Sequence, residues 1–112
     1  MTLVIALLLL MPAENAERMT CKALAPKYEA TCEVLMDDGT ICDMITDEYA
    51  IEVDYTNKWA EAVGQSLHYA ERTGKKPAII LLLRDPESEW RHLVHCGLLC
   101  GKYGIKLYVE RI

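Results

Sequence analysis

Polar and apolar positions change rhythm several times along this chain, and each change marks an element. Residues 31–36, TCEVLM, and 40–46, TICDMIT, are short β-prone runs joined by Asp37-Asp38-Gly39. Asp-Gly tolerates the positive φ of a hairpin turn, so the two runs read as paired strands. Asp47-Glu48 makes a second tight turn, and residues 49–54, YAIEVD, form a third strand. The spacing then lengthens to the helical period, with Thr56 or Asn57 as the N-cap and Gly74 as the stop. Residues 78–83, AIILLL, are apolar without alternation, which suits a strand covered on both faces in a parallel crossover. Asp85-Pro86 opens a second helix, with proline in its first turn. Trp90, Leu93, Val94, Gly97 and Cys100 form its apolar face, and Gly101 and Gly104 close it. Residues 105–111, IKLYVER, alternate as a last, one-sided strand. The expected architecture is α/β: a three-stranded antiparallel meander, then helix, strand, helix, strand, with a mixed central sheet and flanking helices.

The start of the chain reads differently. Residues 3–11, LVIALLLLM, are apolar, lack periodicity and are followed by Pro12. The run is too short for a membrane-spanning helix, which needs about 20 apolar residues. It fits the core of a signal peptide over residues 1–16, and the other reading is a buried N-terminal strand or helix. No Lys or Arg precedes the run, and Glu14 and Asn15 before Ala16 match a small-x-small cleavage site poorly. Residues 17–30 read as a short helix or irregular arm interrupted by Pro26. Residues 17–112 make one domain, long enough to bury a core. Five cysteines, Cys21, Cys32, Cys42, Cys96 and Cys100, agree with an exported, periplasmic or secreted protein in which some are oxidised. The alternative is a cytoplasmic location. No Cys-x-x-Cys is present, which removes the redox and zinc-ribbon motifs.

Candidate chemistry gathers between Asp43 and Tyr69. Strand side chains alternate faces, so Glu52 and Asp54 point to one side and Ile51 and Val53 to the other, into a core. Carboxylates sharing a face raise one another's pKa unless a cation lies between them, and carboxylate oxygens are the ligands Mg²⁺ prefers. Along the following helix, Lys58, Gln65 and Tyr69 fall within one arc, with Ala62 between them. Trp59, Val63, Leu67 and Ala70 fall on an apolar arc. Arg72, Lys75 and Lys76 lie just beyond and offer either a phosphate-contacting rim or a solvated helix end. His92, His95, Cys96 and Cys100 read as core or disulfide cysteines and surface histidines before they read as zinc ligands. The net charge is −5, and −4 without residues 1–16, whose single charged side chain is Glu14. An acidic chain has no general attraction to nucleic acid, which counts against tight non-specific binding.

An acid on one strand, Glu-x-(residue) on the next and a helix with Gln-x-x-x-Tyr resemble the PD-(D/E)XK nuclease superfamily. GQSLHYA, residues 64–70, is similar to the Gln-x-x-x-Tyr motif of its RecB-type branch. The run AIEVDYTNKWAEAVGQSLHYA also resembles a group of small exported bacterial proteins of unknown role. The likeness covers about residues 31–112. It implies a restriction-endonuclease-like core and a nuclease hydrolysing phosphodiester bonds, with DNA before RNA as substrate. It implies Mg²⁺ or Mn²⁺ on Asp43 and Glu52, with Asp54 as a third ligand or a base, and substrate positioned by Gln65 and Tyr69. The family usually carries Lys two residues after the strand acid, where this chain has Asp54. Lys58 would then supply the cation from the helix. The alternative is a catalytically inactive binding module on the same fold in the cell envelope.

Overall fold

The computed structural model describes residues 13–112. The apolar run at residues 3–11 lies outside the described residues. The first helix, α1 (Ala13–Tyr28), leads into strands β1 (Thr31–Leu35), β2 (Ile41–Ile45) and β3 (Tyr49–Tyr55). A 3₁₀ turn over Thr56–Lys58 passes into α2 (Trp59–Thr73), followed by β4 (Lys76–Leu83), α3 (Pro86–Tyr103) and β5 (Lys106–Arg111). The five strands form one mixed sheet in the order β1-β2-β3-β4-β5. The first three run antiparallel as a meander, and the β3–β4 and β4–β5 pairs are parallel across the helical crossovers. The expected α/β class, mixed sheet and flanking helices are present.

Strand β4 shows why both faces must be covered. Ala78, Ile80 and Leu82 enter one core with Cys21 and Ala25 of α1 and with Met44, Ile51 and Val53. Ile79 and Leu81 enter the other with Ala62 of α2 and Cys96 and Cys100 of α3. A strand buried on both sides has no polar positions to give, hence its unbroken apolar run. The sheet therefore lies between α1 on one side and α2 and α3 on the other.

Local chemistry sets the boundaries. Asp85 caps α3 by accepting from the Glu87 amide at 3.3 Å, with Pro86 at the first helical position. Gly74 and Gly104 end α2 and α3 in left-handed conformation, at φ 70° and 69°, where a Cβ would be strained. Three details differ from the sequence reading. Pro26 does not interrupt α1; it lies in the last turn, and the helix ends at Glu29 in left-handed conformation, closed by an Ala30 amide bond to the Ala25 carbonyl. Neither Thr56 nor Asn57 caps α2. The N-cap position is Lys58, without a side-chain bond, and the Thr56 hydroxyl donates to Glu89 instead. The buried seam of α3 is Cys96 and Cys100 with Leu93 beside it, while Trp90 and Val94 are about half exposed and Gly101 lies inside the helix. On α2 likewise, Ala62, Ser66 and Tyr69 are buried and Leu67 is 38% exposed. Small side chains let each helix approach the sheet closely, and the larger apolar groups are left at the margin.

The last turn of α1 is tied to the edge strand β5. Lys27 and Tyr28 both bond the Glu110 carboxylate, at 2.6 and 2.5 Å, and the Tyr28 ring meets Tyr108 edge-on. Removing a buried isoleucine from the central strand leaves a cavity costing about 2–5 kcal/mol. Ile80→Ala, at a fully buried position, is therefore expected to lose that much in urea unfolding. Leu98→Ala, at a site 68% exposed, is expected to change stability by no more than about 0.5 kcal/mol. Equal losses in the two variants would contradict the described core.

Candidate functional site

The site begins with a fault in the β2–β3 ladder. Pairing holds at Met44↔Ile51 and Ile45↔Ala50 and then stops. Strand β2 also changes face there: Met44 joins the α1-side core, whereas Cys42, two residues earlier, joins Ala50 and Tyr69 on the α2 side. Regular alternation would keep residues two apart on one face. The strand therefore twists through Asp43. Across β1, the pairs Cys32↔Met44 and Val34↔Cys42 bracket Glu33 and Asp43, and Glu33 adopts φ 53°. This left-handed, non-glycine backbone distorts β1 locally without shifting its register with β2, since the pairs on both sides of Glu33 stay in step.

Where the strands part, the Val53 amide loses its ladder acceptor. Asp43 supplies another: its Oδ2 accepts from the Val53 N–H at 2.9 Å. Glu52 Oε1 reaches the Asp43 amide at 3.5 Å. Each strand thus offers a carboxylate to the other's backbone. Glu52 and Asp54 are buried, with 4% and 6% of their surface exposed, and Asp43 is half-buried. Burial raises the Glu52 carboxyl to about 10, with the Asp43 charge adding to the effect. Burial also raises Asp43, against the bond from the Val53 amide. The pair holds a proton on Glu52 at neutral pH. Asp54 is pushed up to about 7, first by burial and then by Glu17, while Lys58 pulls it down.

All six residues singled out in the sequence, Asp43, Glu52, Asp54, Lys58, Gln65 and Tyr69, line one recess of about 220 Å³, together with Glu17 and Glu61. A second recess of about 500 Å³ shares Glu17, Ile41, Asp43 and Val53 with it and adds Arg18, Cys21 and Glu33. The two form one open cleft between α1, the meander and the start of α2. Lys58 answers Glu17, with Nζ 3.4 Å from Oε1, and the Glu17 charge holds the ammonium above its ordinary pKa. Gln65 is exposed, and Tyr69 is buried with its phenol pushed up by that burial.

The basic rim does not assemble here. Arg72 pairs with Asp37 and Asp38, Lys75 bonds the Asp47 carbonyl at 2.9 Å, and Lys76 pairs with Glu48 at 2.9 Å. These cations answer the acids of the two turns. Cys96 and Cys100 are core residues, as expected, and His95 stacks on Trp59.

Glu17 and Glu61 were not anticipated. Glu17 stands one turn before Cys21, which faces the core. Glu61 sits between Lys58 and Gln65 at helical spacing. Glu61 could have been found by helical spacing from Lys58 and Gln65, whereas Glu17 is brought to the cleft by the packing of α1.

The donor chemistry fits a hard divalent ion, since every carboxylate here is an oxygen ligand and Lys58 is the cation beside them. As placed, no three His, Cys, Asp or Glu groups among the described residues converge to hold one ion. Ligation by more than two of them requires side-chain rotation, and Glu52 must release its proton.

No family model matches the chain, and no solved structure matches it. Over 96 residues, 85% of its length, the chain is 31% identical to a KilA-N domain-containing protein of Acanthamoeba polyphaga mimivirus. It spans about a quarter of that protein, 26% of its length. None of the described helices is long and apolar enough to cross a membrane.

The raised acids set a pH dependence. From 4.5, its ordinary value, to about 10, folded Glu52 holds a proton that the unfolded chain has released. Asp54 does the same between 3.8 and about 7. The folded state then binds more protons than the unfolded one, so stability falls as pH rises through these windows. Glu52→Gln is expected to melt higher than wild type at pH 8 and to decline less between pH 5 and 9. Parallel melting profiles for the two proteins would show that Glu52 is not the titrating group.

Proposed function

We propose that the chain is a metal-dependent nuclease of the PD-(D/E)XK kind, acting on phosphodiester bonds, with DNA before RNA as substrate. One observation carries the reading: six residues chosen for nuclease chemistry from the sequence line a single cleft, at the point where two strands part. The order of a helix, a three-stranded meander, then helix and strand is what that reading expects of the fold.

In this mechanism Asp43 and Glu52 would hold a Mg²⁺ or Mn²⁺ ion, with Asp54 as a third ligand or as the base. Bound there, the ion supplies Lewis acidity toward the phosphate and lowers the pKa of a coordinated water. Asp54, at about 7, is poised to accept a proton from an attacking water near neutral pH. Lys58 lies beside it and would offset charge growing on the phosphate. Gln65, exposed on the cleft side of α2, and Tyr69 would together position a phosphate or a base. For Lys58 to act so, its ammonium must exchange Glu17 for substrate, a small movement for a flexible stem.

A second reading is a non-catalytic binding module on the same fold. The acidic residue at position 54 and the engagement of Lys58 by Glu17 favour it. Export from the cytoplasm, expected from the apolar run at residues 3–11, is a separate proposal, which the binding module in the cell envelope requires and the nuclease does not.

Two measurements separate the readings. Millimolar Mn²⁺ is expected to raise the melting temperature of wild type and of Lys58→Ala, but not of Glu52→Ala, because an ion bound only by the folded state stabilises it. Cleavage of single- and double-stranded DNA and of RNA is expected to require Mg²⁺ or Mn²⁺. It should fall by about a hundredfold in Lys58→Ala and vanish in Glu52→Ala. Metal stabilisation without cleavage of any substrate would favour the binding module. Wild-type rates in Lys58→Ala would remove the lysine from the mechanism.

A further inference from the structure

The cleft has a neighbour that the proposed chemistry does not use. Cys21, on the inner face of α1, stands with its sulfur 3.6 Å from that of Cys32 in β1. Cys21 also approaches the Asp43 carbonyl at 3.4 Å, and Cys32 approaches the Cys21 carbonyl at 3.5 Å. The same helix carries Glu17 one turn earlier, and Cys32 precedes the left-handed Glu33. The two sulfurs therefore face each other across the packing of α1 on β1.

We propose that Cys21 and Cys32 form an oxidisable dithiol whose disulfide pins the helix bearing Glu17 to the edge strand beside the cleft. The two cysteines differ in access. Cys21 is 4% exposed and Cys32 is half-buried, so Cys32 meets the oxidant first. The oxidant is a disulfide, either a small molecule such as oxidised glutathione or a disulfide-exchange protein. The Cys32 sulfur, as thiolate, attacks one sulfur of that disulfide, forms a mixed disulfide and expels a thiolate. The Cys21 sulfur then attacks Cys32, expels the second thiolate and completes the bridge. The two protons lost by the cysteines end on the two thiolates released, so one disulfide is reduced as one forms.

The remaining thiols are poorer candidates. Cys42 is fully buried and its sulfur lies against the Met44 carbonyl. Cys96 and Cys100 approach within 3.7 Å, but both lie in the core between α3 and the sheet, and a bridge there would close only one helical turn. The Cys21–Cys32 bridge closes a longer loop, one containing the end of α1 and the turn into β1, and so removes more freedom from the unfolded chain.

The test uses the full chain, reduced and then equilibrated with oxidised and reduced glutathione. Remaining thiols are alkylated under denaturing conditions and peptides are mapped without reduction. The expected product has lost two hydrogens, links Cys21 to Cys32 and leaves the other three thiols alkylated. Its melting temperature should rise by on the order of 10 °C, and amides of residues 13–28 should exchange more slowly with deuterium. Cys32→Ser should melt as reduced wild type does and gain nothing from oxidation. Cys96→Ser should keep the bridge and the gain. Five alkylated thiols, a bridge mapped to another pair, or a bridged protein with unchanged melting and exchange would each overturn the proposal. Wild-type mapping decides the matter even if Cys32→Ser fails to fold.

Discussion

The parting of β2 and β3 is the constraint on which the cleft depends. A buried amide without an acceptor costs about 1–3 kcal/mol. Val53 avoids that cost only because Asp43 sends a carboxylate into the gap. The same movement turns Asp43 toward Glu52, so the repair of one backbone group brings two carboxyls together. Burial then makes both ionised forms costly at once, and the proton on Glu52 relieves the conflict. The acid pair is thus tied to the shape of the sheet, and the left-handed Glu33 lies across from Asp43 on the other side of β2.

The surrounding elements keep this fault local. Below it, β3 and β4 pair without interruption from Tyr49↔Lys76 to Tyr55↔Leu82, and β4 is sealed on both faces. Above it, α1 lies against the α1-side core and projects Glu17 toward Lys58. The meander is anchored at its far end by Asp38, which caps its own hairpin through Thr40 and meets His68 and Arg72 of α2. Strands that open in the middle while held at the tip and base enclose a fixed cleft, which is a condition for positioning groups closely.

Most of the architecture was legible in the sequence, because turn chemistry and periodicity are local. Asp37-Asp38-Gly39, Gly74, Asp85-Pro86 and the unbroken run of β4 each specify their elements from adjacent residues. The site residues were legible for a related reason: strand alternation and helical spacing place Glu52, Asp54, Lys58 and Gln65 without any long-range knowledge. What could not be read depends on which neighbour arrives. Trp90 and Val94 count as apolar, but the sheet accepts the smaller Cys96 and Cys100 in their place. Leu67 gives way to Ser66, whose hydroxyl turns back to the Val63 carbonyl at 2.9 Å. Arg72, Lys75 and Lys76 read as a solvated helix end before a phosphate rim, and the turn acids that engage them come into view only in the fold. Glu17 lies far from the motif in sequence, and only the packing of α1 brings it to Lys58.

The charge of the cleft narrows what can enter it. Glu17, Asp43, Glu52, Asp54 and Glu61 line it, and Lys58 is the cation among the residues of the inner recess. Two like unit charges 4 Å apart repel by about 1 kcal/mol in water and about 4 kcal/mol at the effective dielectric of a partly buried site. A phosphodiester approaching these acids meets several such terms, and the cation of the inner recess, Lys58, is already bound to Glu17. Protonation of Glu52 removes one charge, and at about 7 Asp54 is partly neutral as well, but both remedies weaken as pH rises. A divalent cation removes two charges at once and pulls the same carboxylates back to their ionised form. A phosphate ligand would therefore need a divalent cation in this cleft on electrostatic grounds alone, because without one it is disfavoured by the residues that would have to receive it. A ligand recognised without metal would instead be cationic or neutral, and would take the place that Lys58 holds beside Glu17.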